Sequence, residues 1–156
     1  MYTEQDFADI REQLRKRLIM VAIPAVVLLA GVIVSFIFRL KYLTMALSVL
    51  LGAGLIFSFH MLIYPVYAYK RHLNNVLHGR VRTLIGAFKE MDEGDVIREG
   101  VHYYPMLVNV GDMKSPEDDR LFYFDANLPR PDWKVGEVLT VISHDKAVGA
   151  WKRQEQ

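Results

Sequence analysis

Three patterns in this chain hold residue types that could do chemistry. Ser143-His144-Asp145 contains the side chains of a nucleophilic triad, and Glu117-Asp118-Asp119 offers hard oxygen ligands for a divalent cation. His72, His78, His102 and His144 are candidate ligands for a transition metal. Each pattern weakens on inspection. Triads assemble from separate segments because neighbouring side chains diverge, so Ser143-His144-Asp145 reads as a hairpin turn. The acidic run lacks the alternation of an EF-hand loop and reads as a solvated loop. The four histidines match no metal-site spacing, and Gly94, Gly100, Gly111 and Gly136 stand alone rather than in a phosphate-binding loop. The chain has no cysteine, which removes disulfides, thiolate ligands and a cysteine nucleophile together. No catalytic residue, cofactor or metal is therefore expected. An enzyme would have to build its site from His102, His144 and the acidic loop residues.

The elements that would position such residues are organised around residues 18–69, which hold only two charges, Arg39 and Lys41. Leu18 to Phe38 is a run of 21 residues without an ionisable side chain. At ~1.5 Å per residue such a run covers roughly 32 Å, about the hydrocarbon thickness of a bilayer. A transmembrane helical hairpin is expected over 18–77, with spans at about 18–38 and 42–69 and the second helix running on to about Leu77. The run is too long for a signal peptide, has no small-x-small cleavage site and is followed at once by a second span. Residues 1–17 read as an amphipathic lead-in: Phe7, Ile10 and Leu14 recur at helical spacing, and Thr3 with Asp6 makes a cap.

Pro24 and Pro65 each remove a backbone donor and predict a bend. Small residues four apart, Gly31 with Ser35, Ser48 with Gly52 and Gly54 with Ser58, predict close helix packing within the hairpin or against a partner. His60 reads as a packing histidine near the inner interface. Arg11, Arg15, Lys16 and Arg17 precede the first span, and Lys70, Arg71, Arg80 and Arg82 follow the second. The positive-inside rule then puts both termini in the cytoplasm and the turn outside.

Beyond His78-Gly79 the periodicity changes to that of strands. The expected strands are Arg80 to Phe88 with a bend at Gly86, a run within Val96 to Val110 edged or bulged by Pro105, Leu121 to Phe124, Val138 to Ile142 and Ala147 to Trp151. Five short strands predict a small β-barrel of OB-like or SH3-like type over 78–152, ahead of a polar tail at 153–156. The fold class is thus an α+β membrane protein, a two-helix hairpin followed by a five-stranded barrel. Consecutive aromatics on a strand face opposite ways, so some of Tyr103, Tyr104, Phe122, Tyr123 and Trp133 are expected at the surface as an interaction face.

From Lys70 onward 13 basic residues meet 14 acidic ones, so the basic excess that nucleic acid binding needs is missing. In layout the chain resembles the small bacterial membrane proteins that tether an OB-like barrel to a hairpin, the NfeD-type proteins among them. The resemblance covers architecture and carries over no residues. The expected function is a non-enzymatic interaction module at the inner face of a bacterial plasma membrane, an accessory or assembly factor. Its partners would be the lipid bilayer and another membrane protein or a second copy. A subunit of a transporter or channel complex is the remaining alternative.

Overall fold

The computed structural model describes residues 1–154, and the fold is α+β: two long apolar helices followed by a six-stranded sheet. Contacts divide the chain into two compact units, Ala8–Tyr67 and a second made of Met1–Phe7 with residues from Ala68 onward.

The first unit is helical. Helix α1 (Glu4–Ile37) runs without interruption through Pro24 and through the position expected to divide lead-in from span. Its start is a reciprocal cap: the Asp6 carboxylate accepts from the Thr3 N–H at 2.8 Å, and the Thr3 hydroxyl accepts from the Asp6 N–H at 3.2 Å. After a turn at Phe38 to Leu40, with Arg39 at φ 55, α2 (Lys41–Ser58) returns. It passes into one π-helical turn (Phe59–Ile63) and then α3 (Tyr64–His78). The sequence predicts a bend at Pro65; the helix instead widens just before it. A π turn re-spaces the backbone bonds around a residue with no N–H to give, and within it the Leu62 carbonyl accepts from the Arg17 guanidinium at 2.9 Å. His60, expected to pack, is an exposed side chain of this turn.

Both helices are long and apolar enough to cross a membrane. Side chains such as Phe36 (74% exposed), Val27 (67%) and Val49 (70%) are uncovered along them. Within the unit, the Ser35 and Thr44 hydroxyls meet at 2.9 Å, and a side chain at Gly31 would touch Leu47 at 3.4 Å. The Gly31–Ser35 pair therefore faces α2. Among the described residues nothing lies within 4 Å of where a Cβ would stand at Gly52 or Gly54, and Ser48 is exposed while Ser58 is half-buried.

The second unit holds strands β1 (Arg82–Met91), β2 (Val96–Arg98), β3 (Val101–Asn109), β4 (Asp119–Asp125), β5 (Val138–His144) and β6 (Ala147–Arg153). The short β2 is additional to the five expected. It forms because Glu99 and Gly100, both at positive φ, turn the chain so that Val96 to Arg98 can pair with β3. The strand order is β1-β5-β6-β4-β3-β2, and β1 also pairs with β3. All ladders are antiparallel except the single β4–β6 pairing of Tyr123 with Ala147.

The bulge in β1 falls between Phe88 and Glu90, not at Gly86. Gly86 serves a close approach instead, since a Cβ there would lie 2.5 Å from the Asn109 carbonyl oxygen. Pro105 pairs with Tyr123 on β4, and on its other side it falls in the gap between the β2 ladder, which reaches Tyr103, and the β1 ladder, which begins at Met106. The core consists of Phe88, Met106, Val108, Phe122, Phe124, Trp133, Leu139, Val141 and Val148. Residues 68–78 of α3 pack on the sheet: Ala68 joins Val101 and Tyr103, and Gly149 is bare of a side chain where Val76 sits. The tail expected at 153–156 begins inside β6, and Glu155 and Gln156 lie outside the described residues.

Candidate functional site

Asp125 ends β4 completely buried (0% exposed), and burying an ionisable group at that depth requires partners. Four donors supply them. The hydroxyls of Tyr2 and Tyr69 each donate to Oδ2 at 2.8 Å, while the backbone N–H and side-chain amide of Asn127 donate to Oδ1 at 2.9 Å. The Asn127 pair is an Asx turn, the local geometry of Asp125-Ala126-Asn127. The two tyrosines come from opposite ends of the α-helical sequence.

His72, 7% exposed on α3, continues the chain of hydrogen bonds. The Tyr2 hydroxyl proton is committed to Asp125, so the Tyr2 oxygen accepts from His72 Nε2–H at 3.1 Å. Nδ1 is then the acceptor, and the Tyr103 hydroxyl donates to it at 2.9 Å. One tautomer of a neutral imidazole satisfies every contact. Three rings stand around His72: Tyr2 and Tyr103 edge-on at 5.5 and 5.4 Å, and Tyr69 tilted at 5.9 Å.

The electrostatics agree with a neutral ring. His72 lies beyond the apolar run that ends at Tyr69; burial holds its pKa below the ordinary value, against the pull of Asp125 in the other direction, with His144 adding to the lowering. Burial first, and the Asp125 charge second, push the Tyr2 and Tyr103 phenols upward, which keeps both protonated as donors. Beside the network is a cavity of about 90 Å³, lined among others by Arg71, His72, Asn75, Glu99, Tyr103 and His144.

The patterns singled out in the sequence are scattered by the fold. Asp145 (φ 45) and Lys146 (φ 73) form the two-residue turn between β5 and β6. Ser143 is buried, and His144 donates from Nδ1 to the Arg80 carbonyl at 2.9 Å. His102 pairs with Asp95, and His78 lies 3.4 Å from Glu4. In the acidic run, Asp119 pairs with Lys89 at 2.6 Å while Asp118 accepts from the Asp112 N–H at 3.1 Å. Among the described residues no three histidine or carboxylate side chains are grouped to hold a metal.

Burial narrows the aromatic face expected from the sequence to two of its five residues. Phe122 and Trp133 are core residues, with Trp133 stacked edge-on among Phe124 and Trp151. Tyr103 is buried against His72. Only Tyr104 and Tyr123 are half-exposed, and each carries an arginine over its ring, Arg130 at 3.8 Å and Arg98 at 4.2 Å. β4 alternates, but its inward residues are Phe122 and Phe124, and Trp133 reaches the core from a loop that has no strand period to read.

Of the residues that the fold does bring together, His72 stood out in the sequence only as a candidate metal ligand, and Tyr2, Asp125 and Asn127 did not stand out. Only Asp125-Ala126-Asn127 carries a local signal, that of a turn. No family model, curated protein or solved structure matches the chain.

Proposed function

We propose that this chain is a membrane-tethered, non-enzymatic interaction module. The two apolar helices anchor it in a bacterial plasma membrane, with both termini cytoplasmic. The sheet is a closed OB-like barrel that serves as an accessory or assembly factor for a larger membrane complex. Support for the anchor is the exposed apolar surface of the helices, far larger than the patches a soluble monomer tolerates. Support for the barrel is the pairing path, which leaves β1 through β5, passes β6, β4 and β3, and returns to β1. Basic residues flank the apolar run at Arg15 to Arg17 and Lys70-Arg71, in keeping with the positive-inside rule.

The observation that carries the non-enzymatic reading is the hydrogen-bond chain from Tyr103 through His72 and Tyr2 to Asp125. Each donor proton in it goes to the next member, and Asp125 is shared with Tyr69 and Asn127, so this cluster works as a joint between the N-terminal segment, α3 and the sheet. Purification of the tagged protein from native membranes in mild detergent tests the proposal. One membrane protein recovered near one-to-one is the expected result, and a clean preparation without any partner contradicts it.

A further inference from the structure

β4 has β3 along its whole length on one side, but on the other it meets β6 only at Tyr123, whose N–H donates to the Lys146 carbonyl at 2.9 Å. The bond from the Val110 N–H to the Asp118 carbonyl sets the alternation of the β3–β4 ladder. Asp119, Leu121 and Tyr123 therefore turn their backbone groups away from β3. Those of Leu121 have no partner among the described residues. A half-ladder of this kind is a template for one more strand.

Beside this edge is an open cleft of about 1120 Å³ lined by the start of β1, the first half of β4 and the β5–β6 turn. Arg80, Arg82, Arg98, Arg120 and Lys146 all line it, and none makes an ion pair among the described residues. Its acids offer little compensation, since Asp119 is held by Lys89 and the exposed Asp145 lies 3.4 Å from His144. Leu84 and Leu121 add apolar surface between the charges. Neither aromatic in the cleft is an open platform for a base, because Phe122 is buried in the core, Arg98 covers the Tyr123 ring and Tyr103 abuts it at 6.1 Å.

We infer that this cleft takes an extended, acidic peptide segment of a partner protein, which adds a strand to the free edge of β4. Backbone pairing at Leu121 supplies register, alternate carboxylates meet the five cations, and the residues between them rest on Leu84 and Leu121. This deepens the module reading and rests on it.

The test uses the full chain in zwitterionic detergent at low salt, with a fluorescein-labelled peptide alternating Glu and Val as probe and anisotropy as readout. Saturable binding is expected, weakened at least ~10-fold by the double charge reversal Arg82→Glu with Lys146→Glu. Leu121→Pro removes an N–H that no described residue uses, and a loss of binding of similar size is expected with the sheet intact by circular dichroism. Absence of binding to the wild-type protein overturns the inference. So does binding untouched by both the charge reversal and Leu121→Pro, or an oligothymidylate that binds as tightly as the peptide. If the partner recovered from native membranes stays on the charge-reversed protein, the cleft is the wrong surface while the module reading stands. If no partner is recovered at all, it is the module reading that fails.

Discussion

The hydroxyl of Tyr2 donates a 2.8 Å hydrogen bond to the carboxylate of Asp125, tying the second residue of the chain to the buried end of β4. The same oxygen accepts from His72, so one phenol joins three segments. Tyr2→Phe removes both bonds while keeping the ring. Full-length protein carrying it should be less stable by about 1.5–3 kcal/mol, the range for a hydrogen bond to a charged group, when unfolding is followed by denaturant titration in detergent. Asp125→Ala should cost more, since it leaves the Tyr2 and Tyr69 hydroxyls without an acceptor. Stability unchanged by Tyr2→Phe would mean that the N-terminal segment is not held by this joint.

Protonation should loosen the same joint. His72 is held below its ordinary pKa of 6.5 by burial, so the unfolded chain takes up the proton first. Stability is then unaffected by His72 above that value and falls as the pH drops below it, by up to about 1.4 kcal/mol per pH unit, until the folded state also protonates. His72→Gln should remove this slope, whatever it does to absolute stability. A slope that survives the substitution would assign it to another group.

Trp133 offers a packing test with two graded variants. It is buried at the centre of an aromatic cluster, and its indole N–H has no hydrogen-bond partner among the described residues. Trp133→Ala should destabilise by ~3–5 kcal/mol through the cavity it leaves. Trp133→Phe should cost markedly less, because it removes the unpaired N–H along with part of the ring. Equal losses for both would contradict ring packing as what Trp133 contributes.

The small residues of the helices divide into two sets. Gly31 faces Leu47, so Gly31→Ile should overpack the helical unit at a cost of about 1–3 kcal/mol. Gly52 and Gly54 face open space, so Gly52→Ile should leave the isolated chain as stable as before. If those glycines meet a partner helix in the membrane, Gly52→Ile should instead reduce the amount of partner that co-purifies. A loss of stability in the isolated chain would contradict the packing described.

The two apolar helices were legible because charge exclusion over whole spans is a one-dimensional signal. So were the turn at Asp145-Lys146 and the cap of Thr3 with Asp6, each set by neighbours within a few residues. The joint was not, since Tyr2 and Asp125 are far apart in sequence and neither is unusual in its own context. Alternation correctly implied that Tyr103 and Tyr104 face opposite ways, yet it could not say which face α3 would cover. Trp133 stood among the candidates for an exposed face, since its loop has no period that places it in the core, and the π turn is hidden because a proline predicts lost bonds without saying how the helix re-spaces them.

The absence of cysteine makes the central claim, a hairpin that crosses the membrane with both ends inside, directly measurable. Single variants Arg39→Cys in the turn and Gly94→Cys in the β1–β2 turn can be tested in intact cells with a membrane-impermeant maleimide. The account predicts labelling of Arg39→Cys from outside, and of Gly94→Cys only after lysis. Labelling of both from the same side in intact cells, or recovery of the protein in the soluble fraction, would contradict it.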